Sequence, residues 1–221
     1  MVRALSYFLA VASVVVVAGA TPAHAQKTTE SPGTAEPDRI RGEITKIDDT
    51  SMDVKTADGK EVHLALPNGV SIFSLSKASF TDVDFGTYVG AVSVRLDAYS
   101  PIVRDSLSWL HKAFELRIMD EELRGLALGH TTWDLTPDSV MSHGWVDDLE
   151  TRVISIKYGP TEEEETDVDI PRDVPVQRMS LGDRSLMKPG AHIFAGAQKG
   201  ANNDYAAVFV LVGKDDVIPA L

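Results

Sequence analysis

From residue 40 onward, apolar and polar side chains alternate in short bursts separated by turn-forming residues. Ile40-Arg41-Gly42-Glu43-Ile44-Thr45-Lys46-Ile47 alternates with period two, the mark of a half-buried strand. Met52 to Thr56 and Val62 to Leu66 repeat the pattern across Asp58-Gly59, a dipeptide suited to the positive φ values of a tight hairpin. Pro67-Asn68-Gly69 turns the chain into a short extended piece, Val70 to Phe73. Ser74 to Asp82 then reads as one or two helical turns, with Phe80 and Val83 facing inward. Asp84-Phe85-Gly86 is a turn, and Tyr88 to Leu96 a long strand. Asp97 to Lys112 fits neither period and reads as a loop with a helical turn. In Ala113 to Met119 the alternation returns, with Phe114, Leu116 and Ile118 on one face and Glu115 and Arg117 on the other. Asp120 to Gly125 reads as a single helical turn stopped by glycine.

The pattern then restarts. Gly42 and Gly144, Ile44 and Val146, and Met52 and Ile154 are each 102 positions apart. The interval is 104 for Leu66 and Ile170, Pro67 and Pro171, Val70 and Val174, Ile72 and Val176, and Gly86 and Gly190. It is 94 for Phe114 and Val208, Leu116 and Val210, and Ile118 and Val212. The interval changes only inside expected loops, as an internal duplication would leave it. Short strands with regular turn signals and one helical turn per half predict an all-β chain of two tandem small OB-like β-barrels. Residues 39–125 form the first barrel, 126–141 a connector and 142–221 the second.

Ahead of the strands, Arg3, the apolar run Ala4 to Ala20, Thr21-Pro22 and Ala23-His24-Ala25 read as a secretory signal peptide over residues 1–25. The rival reading is an uncleaved anchor. A run of about 17 residues is at the short limit for crossing a bilayer, so stable membrane insertion after cleavage is not expected. Residues 26–38, polar with two prolines, read as a flexible leader. A periplasmic or secreted location follows.

The chain carries 33 acidic against 21 basic residues, a net charge of −12, and losing Arg3 with the signal makes it one unit more acidic. Nucleic-acid binding depends on Lys and Arg displacing counterions, so that partner class is not expected. An envelope protein or a small ligand of basic, cationic or neutral character fits better. There is no cysteine, which removes disulfides, thiolate metal sites and thiol chemistry.

The densest polar and aromatic stretch lies in the connector, Gly129 to Asp138. Its candidate ligand-binding or inter-barrel residues are His130, Trp133, Asp134 and Asp138. Trp133 would plug the junction between the barrels, with the two aspartates accepting backbone N–H bonds at turns. The alternative is a divalent-metal site using His130 and His143 with nearby carboxylates. The 13-residue spacing of the two histidines matches neither a helical pair nor a pair on one strand face. Glu162 to Glu165 form an acidic hairpin tip, a solvated loop rather than a calcium loop, which would need an Asp-x-Asp-x-Asp-Gly pattern. Asp167 and Asp169 alternate with Val168 and Ile170 and belong on an outer face. No nucleophile elbow, His-Glu-x-x-His or phosphate-cradling loop is present, so no catalytic residue and no cofactor is assigned.

Three segments, Val54 to Lys60, Gly129 to Met141 and Val212 to Pro219, resemble a family of exported bacterial proteins labelled only as a domain of unknown function, with OB-like repeats. In that family Arg-Pro often precedes the tryptophan, where this chain has Thr131-Thr132, and the Asp97 to Lys112 insertion is shorter. The resemblance implies the fold and the compartment and carries no reaction. The resulting expectation is a non-catalytic binding or structural module of the periplasm.

Overall fold

A computed structural model describes residues 37–96, 109–161, 163–200 and 204–219. The expected signal peptide, nearly all of the leader, most of the 97–112 insertion and Glu162 lie outside the described residues. The chain is all-β. Its first run of strands is β1 (Asp38–Ile47), β2 (Ser51–Thr56), β3 (Glu61–Ala65), β4 (Ser71–Lys77), β5 (Tyr88–Arg95) and β6 (His111–Met119). A short β7 (Gly129–Thr132) follows. The second run is β8 (Ser139–Glu150), β9 (Val153–Lys157), β10 (Glu165–Asp169), β11 (Val176–Leu181), β12 (His192–Lys199) and β13 (Tyr205–Gly213). The helical turn expected over Ser74 to Asp82 shrinks to a 3-10 turn at Phe80–Asp82, capped by the Ser79 hydroxyl. The residues before it continue β4, because Phe73 and Leu75 face a buried apolar cluster.

Strand pairing closes two rings. In ring 1, β1 pairs with β2 and β2 with β3. Parallel to β3 runs β13, which pairs with β12, and β12 returns to β1. In ring 2, β8, β9, β10, β6 and β5 are joined in the same order and with the same senses. β4 lies parallel to β13, β11 lies parallel to β6, and β4 pairs antiparallel with β11, so one continuous sheet links the rings. Residues 35–221 accordingly form one compact unit.

The expected barrel boundaries need correction here. Strands of 39–125 do not close on each other, and neither do those of 142–221. Ring 1 takes β1 to β3 from the first stretch and β12 and β13 from the second; ring 2 takes β8 to β10 from the second and β5 and β6 from the first. The two stretches exchange their last strand pairs.

Matching positions do matching work in both rings. A Cβ on Gly42 would strike the Lys55 carbonyl, and one on Gly144 the Lys157 carbonyl, so each glycine lets β1 or β8 bend sharply over its neighbour. Three residues beyond these glycines each strand bulges, at Thr45 in β1 and at Asp147 in β8. Phe114 in β6 and Val208 in β13 bulge likewise, 94 positions apart. The exchange is locked at its crossing points. Gly86 N–H donates to Val146 O at 2.7 Å and Gly190 N–H to Ile44 O at 2.8 Å.

Each ring has its own apolar interior. Ring 1 buries Ile44, Met52, Val54, Leu64 and Val210, and ring 2 buries Val89, Leu116, Ile154, Ile156 and Val168. A third cluster lies over the linking strands and holds Phe73, Leu75, Tyr88, Met119, Met179, Phe194 and Leu211. The bulge at Phe114 takes that residue out of the face it was expected to share with Leu116 and Ile118, which lie in the ring 2 interior. Glu115 and Arg117 keep the opposite face and are 1% and 4% exposed.

Candidate functional site

The connector is built so that its turn holds itself and its ring systems reach outward. Trp133 N–H donates to Ser139 O at 2.7 Å, Thr136 N–H to Ser139 Oγ at 2.9 Å, and Ser139 Oγ–H to Thr136 O at 2.8 Å. This serine, 2% exposed, serves as the internal staple of the turn. Upstream, β7 pairs with β8, and the Tyr88 hydroxyl pins the Leu126 carbonyl at 2.9 Å. Burial pushes the Tyr88 phenol up to about 12, so it stays a donor.

Beyond the turn the connector reaches β1 of ring 1. Trp133 packs on Phe194 with ring centroids 5.8 Å apart, and the Arg39 guanidinium lies 4.1 Å above the indole. Asp134 takes Arg41 in a two-pronged grip, 2.8 and 2.7 Å, with Arg39 3.6 Å away. That contact with Arg41 holds the Asp134 carboxyl below its ordinary range. Asp134 was expected to accept backbone N–H bonds at a turn; two arginines on one face of β1 attract it instead. Asp138 is exposed and takes no part in this set. Trp133 is half-buried and packs against the cluster that holds Phe73, Phe194 and Leu211.

The two histidines are not brought together. In the β7–β8 register, His130 faces Ser142 and Gly129 faces His143, so the imidazoles project from opposite sides of the sheet. This corrects the proposed His130/His143 ligand pair. Among the described residues, no group of three or more His, Asp and Glu side chains is placed to hold a metal. At the acidic tip, Glu164 folds back to accept from the Thr161 N–H and hydroxyl at 3.2 and 2.9 Å and so closes the hairpin.

Instead, each histidine belongs to a separate cavity. His143, with Arg117, lines a cavity of about 520 Å³ whose walls are mainly Phe73, Met119, Leu128, Met141, Phe194 and Phe209. Burial, with Arg117 adding a smaller push, drives the His143 imidazole down to about 4, so it is neutral. Room for its ring comes from Gly90, where a Cβ would lie 2.7 Å from His143 Cδ2. Arg39 and Trp133 stand in the same wall. Trp133 Nε1 is buried and has no acceptor among the described residues, and Glu115 Oε2, beside the Arg117 ion pair, has no donor. Such unmade bonds each cost about 1–3 kcal/mol.

His130 lines the other cavity, about 770 Å³ and more polar. It contacts Ser142 Oγ at 2.9 Å, stacks on Tyr158 at 5.1 Å and meets the His111 ring edge-on at 5.9 Å. His111 in turn contacts Ser93 Oγ at 3.1 Å. Burial lowers the pKa of His130. Ser93 and Ser142 are both fully buried beneath these rings.

Sequence reasoning missed Arg39 and Arg41, Glu115 and Arg117, and the His111–Tyr158 surroundings of His130. Two arginines flanking Ile40 on one strand face were the available signal for the first pair. No family model, curated protein or solved structure was found to match this chain.

Proposed function

We propose that this chain is an exported, non-catalytic binding module, derived by duplication of one OB-like unit whose two copies have exchanged strands. Its ligand occupies the cavity between the rings. The observation that carries this reading is the cavity's make-up: apolar walls with a few converging polar groups, at a volume inside the roughly 300–1,000 Å³ usual for small-molecule sites. Arg39 and neutral His143 in that wall favour a ligand with an apolar body and one anionic or hydrogen-bond-accepting end. Trp133 Nε1 would gain the acceptor it lacks. The signal-peptide pattern over residues 1–25 supports the periplasm as its compartment.

Titration with 8-anilinonaphthalene-1-sulfonate, an aromatic body bearing one anionic group, tests it. One site per chain is expected, with displacement by dodecanoate. Leu128→Glu places a charge at a half-exposed wall position and should weaken both by about tenfold or more without shifting the unfolding midpoint. Absence of binding by the folded protein, or binding untouched by Leu128→Glu, rejects the reading.

A further inference from the structure

The two rings use the same strand positions, yet only one has a polar mouth. In ring 1, Ile40 faces Ala195, Ala197 faces Ala207, and Val62 faces Val54. The corresponding pairs in ring 2 are Ser142 with Ala91, Ser93 with Ala113, and Thr166 with Ile156. Three apolar residues of ring 1 are thus replaced by three hydroxyl-bearing ones. Tyr205 of ring 1 likewise corresponds to His111, since each pairs with the matching strand, Tyr205 with Leu64 and His111 with Val168. Packing alone would favour the apolar set, because a buried hydroxyl must recover its lost hydration through hydrogen bonds. Ring 1 demonstrates that the fold itself does not need polar groups there.

Outside these hydroxyls lies the 770 Å³ cavity, between the end of β5, the start of β6 and the β9–β10 hairpin. Trp109 stands in its wall, 56% exposed, and Tyr158 is held in place by its stack on His130. Around them are Arg95 and Lys157, and the carboxylates of Asp147, Glu165 and Asp167. Lys157 and Asp147 approach each other at 3.8 Å, and Ser155 donates to Asp167. Both signs of charge are present and interleaved, which suits neither a multivalent anion nor a bare cation. Donors and acceptors beside flat aromatic faces suit a ligand rich in hydroxyls with an apolar ring face.

We infer that the mouth of ring 2 binds a neutral oligosaccharide, stacked on Trp109 and Tyr158 and hydrogen-bonded by the charged side chains around them. The site is independent of the cavity between the rings. Chitohexaose, cellohexaose and maltohexaose are titrated separately into the intact protein and followed by calorimetry. At least one is expected to bind. Trp109→Ala, and separately Tyr158→Ala, weaken it by about tenfold, equivalent to 1.4 kcal/mol. Leu128→Glu, in the other cavity, leaves it unchanged. Trp109 is exposed enough that its removal does not disturb folding, and an unchanged unfolding midpoint checks this. No heat with any of the three sugars overturns the inference. So does binding that Trp109→Ala leaves intact, or tighter binding of polygalacturonate than of the neutral sugars.

Discussion

Arg41 grips Asp134 through both terminal guanidinium nitrogens, Nη1 and Nη2, across 93 positions of sequence, and so ties the connector to β1. Beside this grip, Arg39 covers the Trp133 indole. Asp134→Ala should release the turn from ring 1. The Asp134 side chain is 40% exposed, so solvent screens the pair and the expected loss is about 1 kcal/mol in urea unfolding. The folded carboxyl is held below its unfolded value. Its contribution is therefore full above the unfolded pKa and disappears as pH falls through the folded one. Wild type and Asp134→Ala should converge in stability in acid; a constant gap down to pH 2 would contradict the ionic origin.

The alternating pattern told which residues form strands, and the offsets told which strands match. Neither could tell which strand pairs with which. β5 and β12 carry equivalent patterns, so β1 is equally suited to either by periodicity, and only the folded pairing shows that it takes β12. Faces were legible where strands run regularly and misread at a bulge. Phe114 is the extra residue in β6 and leaves the face of Leu116 and Ile118, while nothing in the alternation signals that Glu115 and Arg117 on the other face are buried. His130 and His143 were separated by a register that only the β7–β8 hairpin sets.

The exchange of strands makes a clear claim about fragments. Residues 26–125 expressed alone would lack the β12 and β13 that complete ring 1, and 126–221 would lack β5 and β6. Neither fragment should unfold cooperatively as a monomer. Mixed in equal amounts, they should assemble one-to-one with recovery of near-ultraviolet circular dichroism. A monomeric, cooperatively folded 26–125 would mean that its strands close on one another, contrary to the pairing.

His143 gives the fold a pH dependence of definite sign. Its imidazole ionises near 4 when folded and about 6.5 when unfolded. Between those values the unfolded chain binds a proton that the folded chain does not, so stability falls as pH drops from 6.5 to 4 and changes no further below. The span corresponds to about 3 kcal/mol. His143→Gln, similar in size and never charged, should flatten this part of the profile. His130 is shifted in the same direction, so a shallower slope remains in the variant. Equal slopes for wild type and His143→Gln between pH 4 and 6.5 would exclude a buried neutral His143.

Glu115 and Arg117 form an ion pair almost without solvent, two residues apart on β6. Removing water from both charges costs several kcal/mol, which their attraction recovers only in part. Arg117→Met alone strands a buried carboxylate and should destabilise by about 3–5 kcal/mol. The double replacement Glu115→Leu with Arg117→Met removes both charges, and also the unpaired Oε2, so its cost should be near zero or negative. The pair faces the cavity between the rings through Arg117. If the pair is kept for recognition rather than stability, the double variant should stay folded yet lose affinity for 8-anilinonaphthalene-1-sulfonate. Chemical denaturation of the four members of the cycle separates the two roles. A double variant as unstable as Arg117→Met would make the pair structural, since the charges would then be contributing to the fold itself.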